Sequence, residues 1–144
     1  MTQPRLVLDT NVLVSAFLWQ GLPGRLIEMA GEKEVRLFTS RPLLEELAAT
    51  LTKKKLLKYV AATGLTATQL LGAYKRLCTT VTAPQLATRV SRDVDDDVVL
   101  ACAVAAKADF IVSGDDDLLV LSKFQDIPIV TVADALKYLR SPTG

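Results

Sequence analysis

Apolar residues along this chain fall into short blocks of two kinds. "RLVL" (5–8), "VRLFTS" (35–40), "ADFIVS" (108–113) and "IPIVTV" (127–132) are brief runs with little polar alternation. That is the pattern of strands buried on both faces of a sheet. "CTTVTA" (78–83) reads as a further strand, stopped by Pro84. Helical signals fill the intervals. Ser40 and Pro42 open a helix reaching about Leu51, with serine as cap and proline in the first turn. "TKKKLLKYVAATG" is a helical piece ended by Gly64, and Thr66 followed three residues later by Gln69 has the spacing of a capping box. Residues 95–107, "DDLLVLSK" and "ADALKYLR" read as helices, and "GLPGRLIEMAGE" (21–32) as a loop entering a short helix at Pro23. The stretch after the first strand, through Asp9, Asn11 and Trp19, reads as a loop, and "SPTG" (141–144) as a tail.

Strands separated by helices, each strand nearly uniformly apolar, predict an α/β fold: a parallel sheet with helices on both faces. At 144 residues, one domain over 1–140 is expected. If the strand order is 3-2-1-4-5, the strands at 5–8 and 108–113 are neighbours where the winding reverses. Ligands of such sheets bind outside the carboxyl ends of those strands.

Composition narrows the chemistry. Seventeen basic and sixteen acidic residues leave a net charge of +1, so a polyanion partner must be argued from local patches. The N-terminus lacks a basic leader and cleavage site, and no apolar run reaches the length of a membrane span. A cytoplasmic protein with Cys78 and Cys102 as buried thiols is expected. Histidine is absent, which excludes histidine-based acid–base pairs, Ser-His-Asp triads and histidine-ligated zinc. No glycine-rich phosphate loop is present. Carboxylates remain, and their hard oxygens suit magnesium, manganese or calcium.

The expected topology gathers those carboxylates. Asp9 directly follows the first strand, and Asp115 follows the strand at 108–113. Asp95, Asp96 and Asp97 start a helix at the same edge, and Glu45 and Glu46 lie in the first part of the helix at 42–51. At about 100° per residue, Glu46 lies nearer the leucine face of its helix than Glu45. Asp96 falls about 20° from Lys107, a solvent stripe, whereas Asp97 shares a side with Leu100, Ala101 and Val104. Asp97 is therefore the stronger ligand candidate and Asp96 a supporting or surface group. Aspartates at helix N-termini also act simply as caps, worth roughly 0.5–2 kcal/mol. Asp9 differs, because a loop after it leaves it no helix to cap. Convergence of four like charges calls for a cation. An EF-hand over 93–104 fails, with Val98 at the glycine position and Val104 at the bidentate glutamate position.

Taken together, "LVLDTNVLVSA", "TSRPLLEEL", "RDVDDDVVLACAVAAKADFIVSGDDDLL" and "IPIVT" resemble a PIN domain over about residues 5–139. Among its branches the likeness is greatest to VapC-like toxin ribonucleases of toxin–antitoxin pairs. The resemblance implies a three-layer α/β/α fold and an endoribonuclease dependent on one or two Mg2+ or Mn2+ ions. It implies catalytic, metal-holding roles for Asp9, Glu46, Asp97 and Asp115. Thr10, Asn11, Asp96, Ser113 and Asp117 take supporting roles, Ser113 standing where the family usually has threonine. An antitoxin partner and a homodimer are implied as well. Attack by water on RNA predicts 5′-phosphate and 3′-hydroxyl ends. Lys53, Lys54, Lys55 and Lys58 read either as phosphate contacts or as a solvated face, and Trp19 either as a stacking group or as packing. Two rivals stand beside this reading: a PIN-like protein-binding module without turnover, and a magnesium-dependent phosphatase. The second is weakened by Asn11, where an aspartyl-nucleophile phosphatase would carry its second acid.

Overall fold

The computed structural model describes residues 3–84, 86 and 94–140, with Val94, Asp95 and Arg140 described by backbone alone. The tail expected at 141–144 and the side chain of Asp95 lie outside this set. A sheet of six strands runs in the order β3-β2-β1-β4-β6-β5. They are β1 (Arg5–Leu8), β2 (Arg36–Thr39), β3 (Thr79–Thr80), β4 (Phe110–Val112), β5 (Lys123–Phe124) and β6 (Ile127–Val130). Every pairing is parallel except that of β5 with β6. The expected order 3-2-1-4-5 is recovered with β6 as its fifth strand. The two-residue β5 is an addition, folded back against β6 in a turn where Gln125 and Asp126 take positive φ.

Strand side chains alternate between two cores, as a pleated ribbon requires. Leu6, Leu8, Leu37 and Val112 pack with helices α1 (Thr10–Leu18), α2 (Gly21–Gly31), α3 (Arg41–Leu51), α5 (Ala67–Leu77) and α8 (Val132–Arg140). Val7, Phe38, Ile111 and Ile129 pack with α6 (Val94–Ala106) and α7 (Asp116–Leu119) on the other face. The sheet is thus sandwiched between helical layers, and no helix among the described residues is long and apolar enough to cross a membrane. Between α3 and α5 the chain makes a 3-10 turn and the short helix α4 (Leu57–Ala62). Gly64 then turns at φ 78°, and Thr66 and Gln69 form the expected capping box with both of its hydrogen bonds.

Several boundaries differ from the sequence reading. The largest concerns residues 10–18, read as a loop and folded as α1. Six of its nine residues are apolar and five of the nine are buried, so only Asn11 and Ser15, four residues apart, mark an outer side, too little from which to read a helical period. The next helix begins at Gly21 rather than Pro23, because Gln20 and Gly21 both take positive φ and turn the chain sharply. The strand read at 78–83 is two residues long, and the helix read through Lys123 stops at Leu119.

Candidate active site

The register of the central strands builds the site. Leu8 pairs with Val112, and the Asp9 amide continues the ladder by donating to the Val112 carbonyl at 3.1 Å. Asp9 and Ser113 therefore emerge side by side at the carboxyl edge. Asp9 does cap a helix, contrary to the expectation above. It is the N-cap of α1, and its Oδ1 accepts from the Val12 amide at 2.9 Å. The Ser113 hydroxyl donates to Asp9 Oδ2 and accepts from the Asp115 amide at 2.9 Å. Asp115 in turn caps α7, its Oδ1 accepting from the Asp117 amide at 2.9 Å. One chain of hydrogen bonds thus runs from Asp9 through Ser113 and Asp115 to Asp117.

Asp9 is only 5% exposed. Burial pushes its pKa up, and the nearby charge of Asp115 adds to this, while hydrogen bonds from Ser113, Val12 and Gly114 pull the other way. Thr10, next in sequence, keeps a buried hydroxyl with no hydrogen-bond partner among the described residues. A buried acid resisting ionisation beside an unsatisfied hydroxyl is a setting that a cation and its ligands would complete.

Carboxylate oxygens of Asp96, Asp115 and Asp117 lie within 4.8 Å of one another. Asp96 reaches this cluster from the first turn of α6, where the helix dipole favours a carboxylate. At 6% exposure it is not on a solvent stripe. Lys107 does not mark the outer side of α6, because the helix ends at Ala106 and Lys107 has left it with φ 52°. The inner face of α6 is Asp96, Val99, Leu100, Ala103 and Ala106, all buried, and Asp97 beside it is half-buried.

Glu46 is half-buried on α3, which packs against α6, but neither it nor Asp97 belongs to the three-carboxylate cluster. Asn11 is exposed. Lys53, Lys54, Lys55 and Lys58 are exposed beyond the far end of α3. Trp19 is not a loop residue but the C-cap of α1, where it meets Tyr59. Tyr59 was not singled out from sequence, since nothing in the spacing of residues 40 apart signals their contact. All the clustered acids offer hard oxygen donors, the set that suits Mg2+ or Mn2+.

Comparison with known proteins fits this geometry. An uncharacterized protein of Methanocaldococcus jannaschii, MJ1680, is 30% identical over 118 residues, spanning 81% of this chain and 74% of that protein. The crystal structure of VapBC2 from Rickettsia felis, bound to a DNA fragment from their promoter, includes a similar fold. It matches with a TM-score of 0.59 at 14% identity, over 88% of this chain and 98% of that one. The family model described as PIN domain matches residues 5–117, from β1 through the Asp115–Asp117 turn. A match covering most of the chain and carrying its clustered acids places the protein in the PIN-domain family.

Proposed function

We propose that this protein is a divalent-metal-dependent endoribonuclease that hydrolyses phosphodiester bonds of RNA, acting as the toxin of a toxin–antitoxin pair. The observation that carries the reading is the approach of Asp96, Asp115 and Asp117 within 4.8 Å at the edge where buried Asp9 also emerges. Asp115, Asp117, Asp96 and Asp9 would hold the ion, with Glu46 and Asp97 flanking. A bound Mg2+ or Mn2+ supplies Lewis acidity toward the phosphate and lowers the pKa of water. The chain's own groups do the positioning. Ser113 fixes the Asp9 carboxylate and, through the Asp115 amide, the turn that presents Asp115 and Asp117. Val12 N–H fixes the other Asp9 oxygen. Such oriented carboxylates leave no rotamer search to be completed when substrate arrives.

Membership of the PIN-domain family and the fold shared with VapBC2 support the toxin reading, which brings with it an antitoxin partner and a homodimer. The test is product mapping on a panel of RNAs with Mg2+, Mn2+ or EDTA. Metal-dependent cuts bearing 5′-phosphate ends, lost in Asp115→Asn, are expected. Cleavage that persists in EDTA, or in Asp115→Asn, would overturn the proposal.

A further inference from the structure

The net charge of +1 conceals a strong segregation. From Leu47 to Arg92 the chain contains no aspartate or glutamate, while Lys53, Lys54, Lys55, Lys58, Lys75, Arg76, Arg89 and Arg92 all fall within it. All sixteen acidic residues lie outside this stretch. Four of its cations are concentrated around the 3-10 turn and α4, and all four are exposed. Among the described residues, no carboxylate forms an ion pair with Lys53, Lys54, Lys55 or Lys58.

The same segment carries an aromatic feature. Tyr59 contacts Trp19 with ring centroids 5.1 Å apart and planes tilted by 56°. Trp19 is 53% exposed and Tyr59 36% exposed. Lys58 Nζ lies 5.1 Å from the centre of the Tyr59 ring. Two large exposed rings in contact, with Lys58 beside one of them and Lys53, Lys54 and Lys55 on the 3-10 turn that leads into the same helix, combine the two ingredients of a single-strand site: π-faces for bases and cations for phosphates. An acidic peptide would satisfy the lysines, and exposed Leu57 would suit it, but paired aromatic rings are what unstacked bases use.

We propose that Trp19 and Tyr59, with Lys53, Lys54, Lys55 and Lys58, form a stacking platform for single-stranded RNA outside the carboxylate cluster. The identity of the ligand rests on the ribonuclease reading above. Helix α1 runs from its cap at Asp9 to its cap at Trp19, a rise of about 15 Å. The platform therefore grips nucleotides away from the scissile bond. It governs how tightly the strand is held, not the chemical step, so its loss falls on KM rather than on kcat.

Trp19 is the chain's only tryptophan, so its fluorescence reports the platform directly. The protein is titrated in EDTA with a short mixed-sequence 2′-O-methyl RNA, which it cannot cut. Saturable quenching is expected. The variants are read by the anisotropy of the same RNA carrying fluorescein, since the Trp19 substitutions remove the only tryptophan. Loss of one stacking ring in Trp19→Ala or Tyr59→Ala weakens binding roughly five- to hundredfold, and Trp19→Phe restores most of it. Replacing the four lysines by glutamine lowers the slope of log K against log salt by about 3. Far-UV circular dichroism checks folding, and exposed Trp19→Ala decides the matter if Tyr59→Ala unfolds. Absent quenching, unchanged affinity in Trp19→Ala, or an equal response to a polyglutamate peptide each overturns the platform. The two readings fail separately. Quenching without any metal-dependent cleavage sinks the nuclease and leaves the platform standing. Cleavage with unaltered KM in Trp19→Ala sinks the platform and leaves the nuclease.

Discussion

Asp9 concentrates the electrostatic cost of the site in one side chain. Its pKa is raised above the ordinary 3.8, first by burial and then by Asp115. The sign of the linkage follows. Below 3.8 both folded and unfolded chains hold the proton. As pH rises past that value the unfolded chain releases it first, so stability falls through the window up to the raised folded pKa. A divalent cation held there would reverse this by favouring the ionised form. Asp9→Asn keeps a competent cap for α1 and removes the titration. In EDTA at neutral pH the variant is expected to melt at or above the wild-type temperature, with a flatter pH profile. Mg2+ or Mn2+ should raise the melting temperature of the wild type, by the equivalent of about 2.7 kcal/mol at a hundredfold excess over Kd, and raise that of the variant by less, since Asp96, Asp115 and Asp117 remain. Thermal denaturation across mildly acidic to neutral pH measures all three. At this scale the sequence was readable in identity but not in placement. That Asp9, Ser113, Asp115 and Asp117 lie at one edge of the sheet could be read from their positions after β1 and β4, whereas the burial of Asp96 turned on where α6 ends, which Lys107 obscured.

Elements announce themselves when their ends carry chemistry. Helix α5 was legible because Thr66 and Gln69 bond reciprocally across its first turn, at 3.1 and 2.8 Å. Thr66→Ala removes the acceptor for the Gln69 amide and is expected to cost about 1 kcal/mol, measured by urea denaturation with an unchanged m-value. Helix α1 was illegible for the opposite reason. Its cap is a residue already claimed by the site, and "TNVLVSAFL" has only Asn11 and Ser15 to mark an outer face. Strands β3 and β5, two residues each, are shorter than any repeat that alternation can reveal. They exist because neighbouring strands supply hydrogen-bond partners, which is tertiary information.

For the molecule as a whole, the alternation of buried strands and capped helices was enough to anticipate the layered sheet and its reversal point, because both follow from connectivity and handedness rather than from local detail. The two thiols offer a probe of that whole. Cys78 packs against one core and Cys102 belongs to the other. Burial pushes their pKa values up to about 12 and about 11, so neither presents appreciable thiolate near neutrality. Labelling by a thiol reagent is expected to be negligible in the folded state and to rise for both together as denaturant unfolds the chain. Fast modification of Cys78 alone would show one layer opening independently of the other.

The rims of the sheet carry a final consequence. Thr79–Thr80 closes one margin and Lys123–Phe124 the other, the latter reversed in direction. Stubs of that length offer an incoming strand almost no free backbone to zip onto. Polymerisation by lateral strand addition is thereby discouraged, and any stable pairing of two copies is left to the outward sides of the helices.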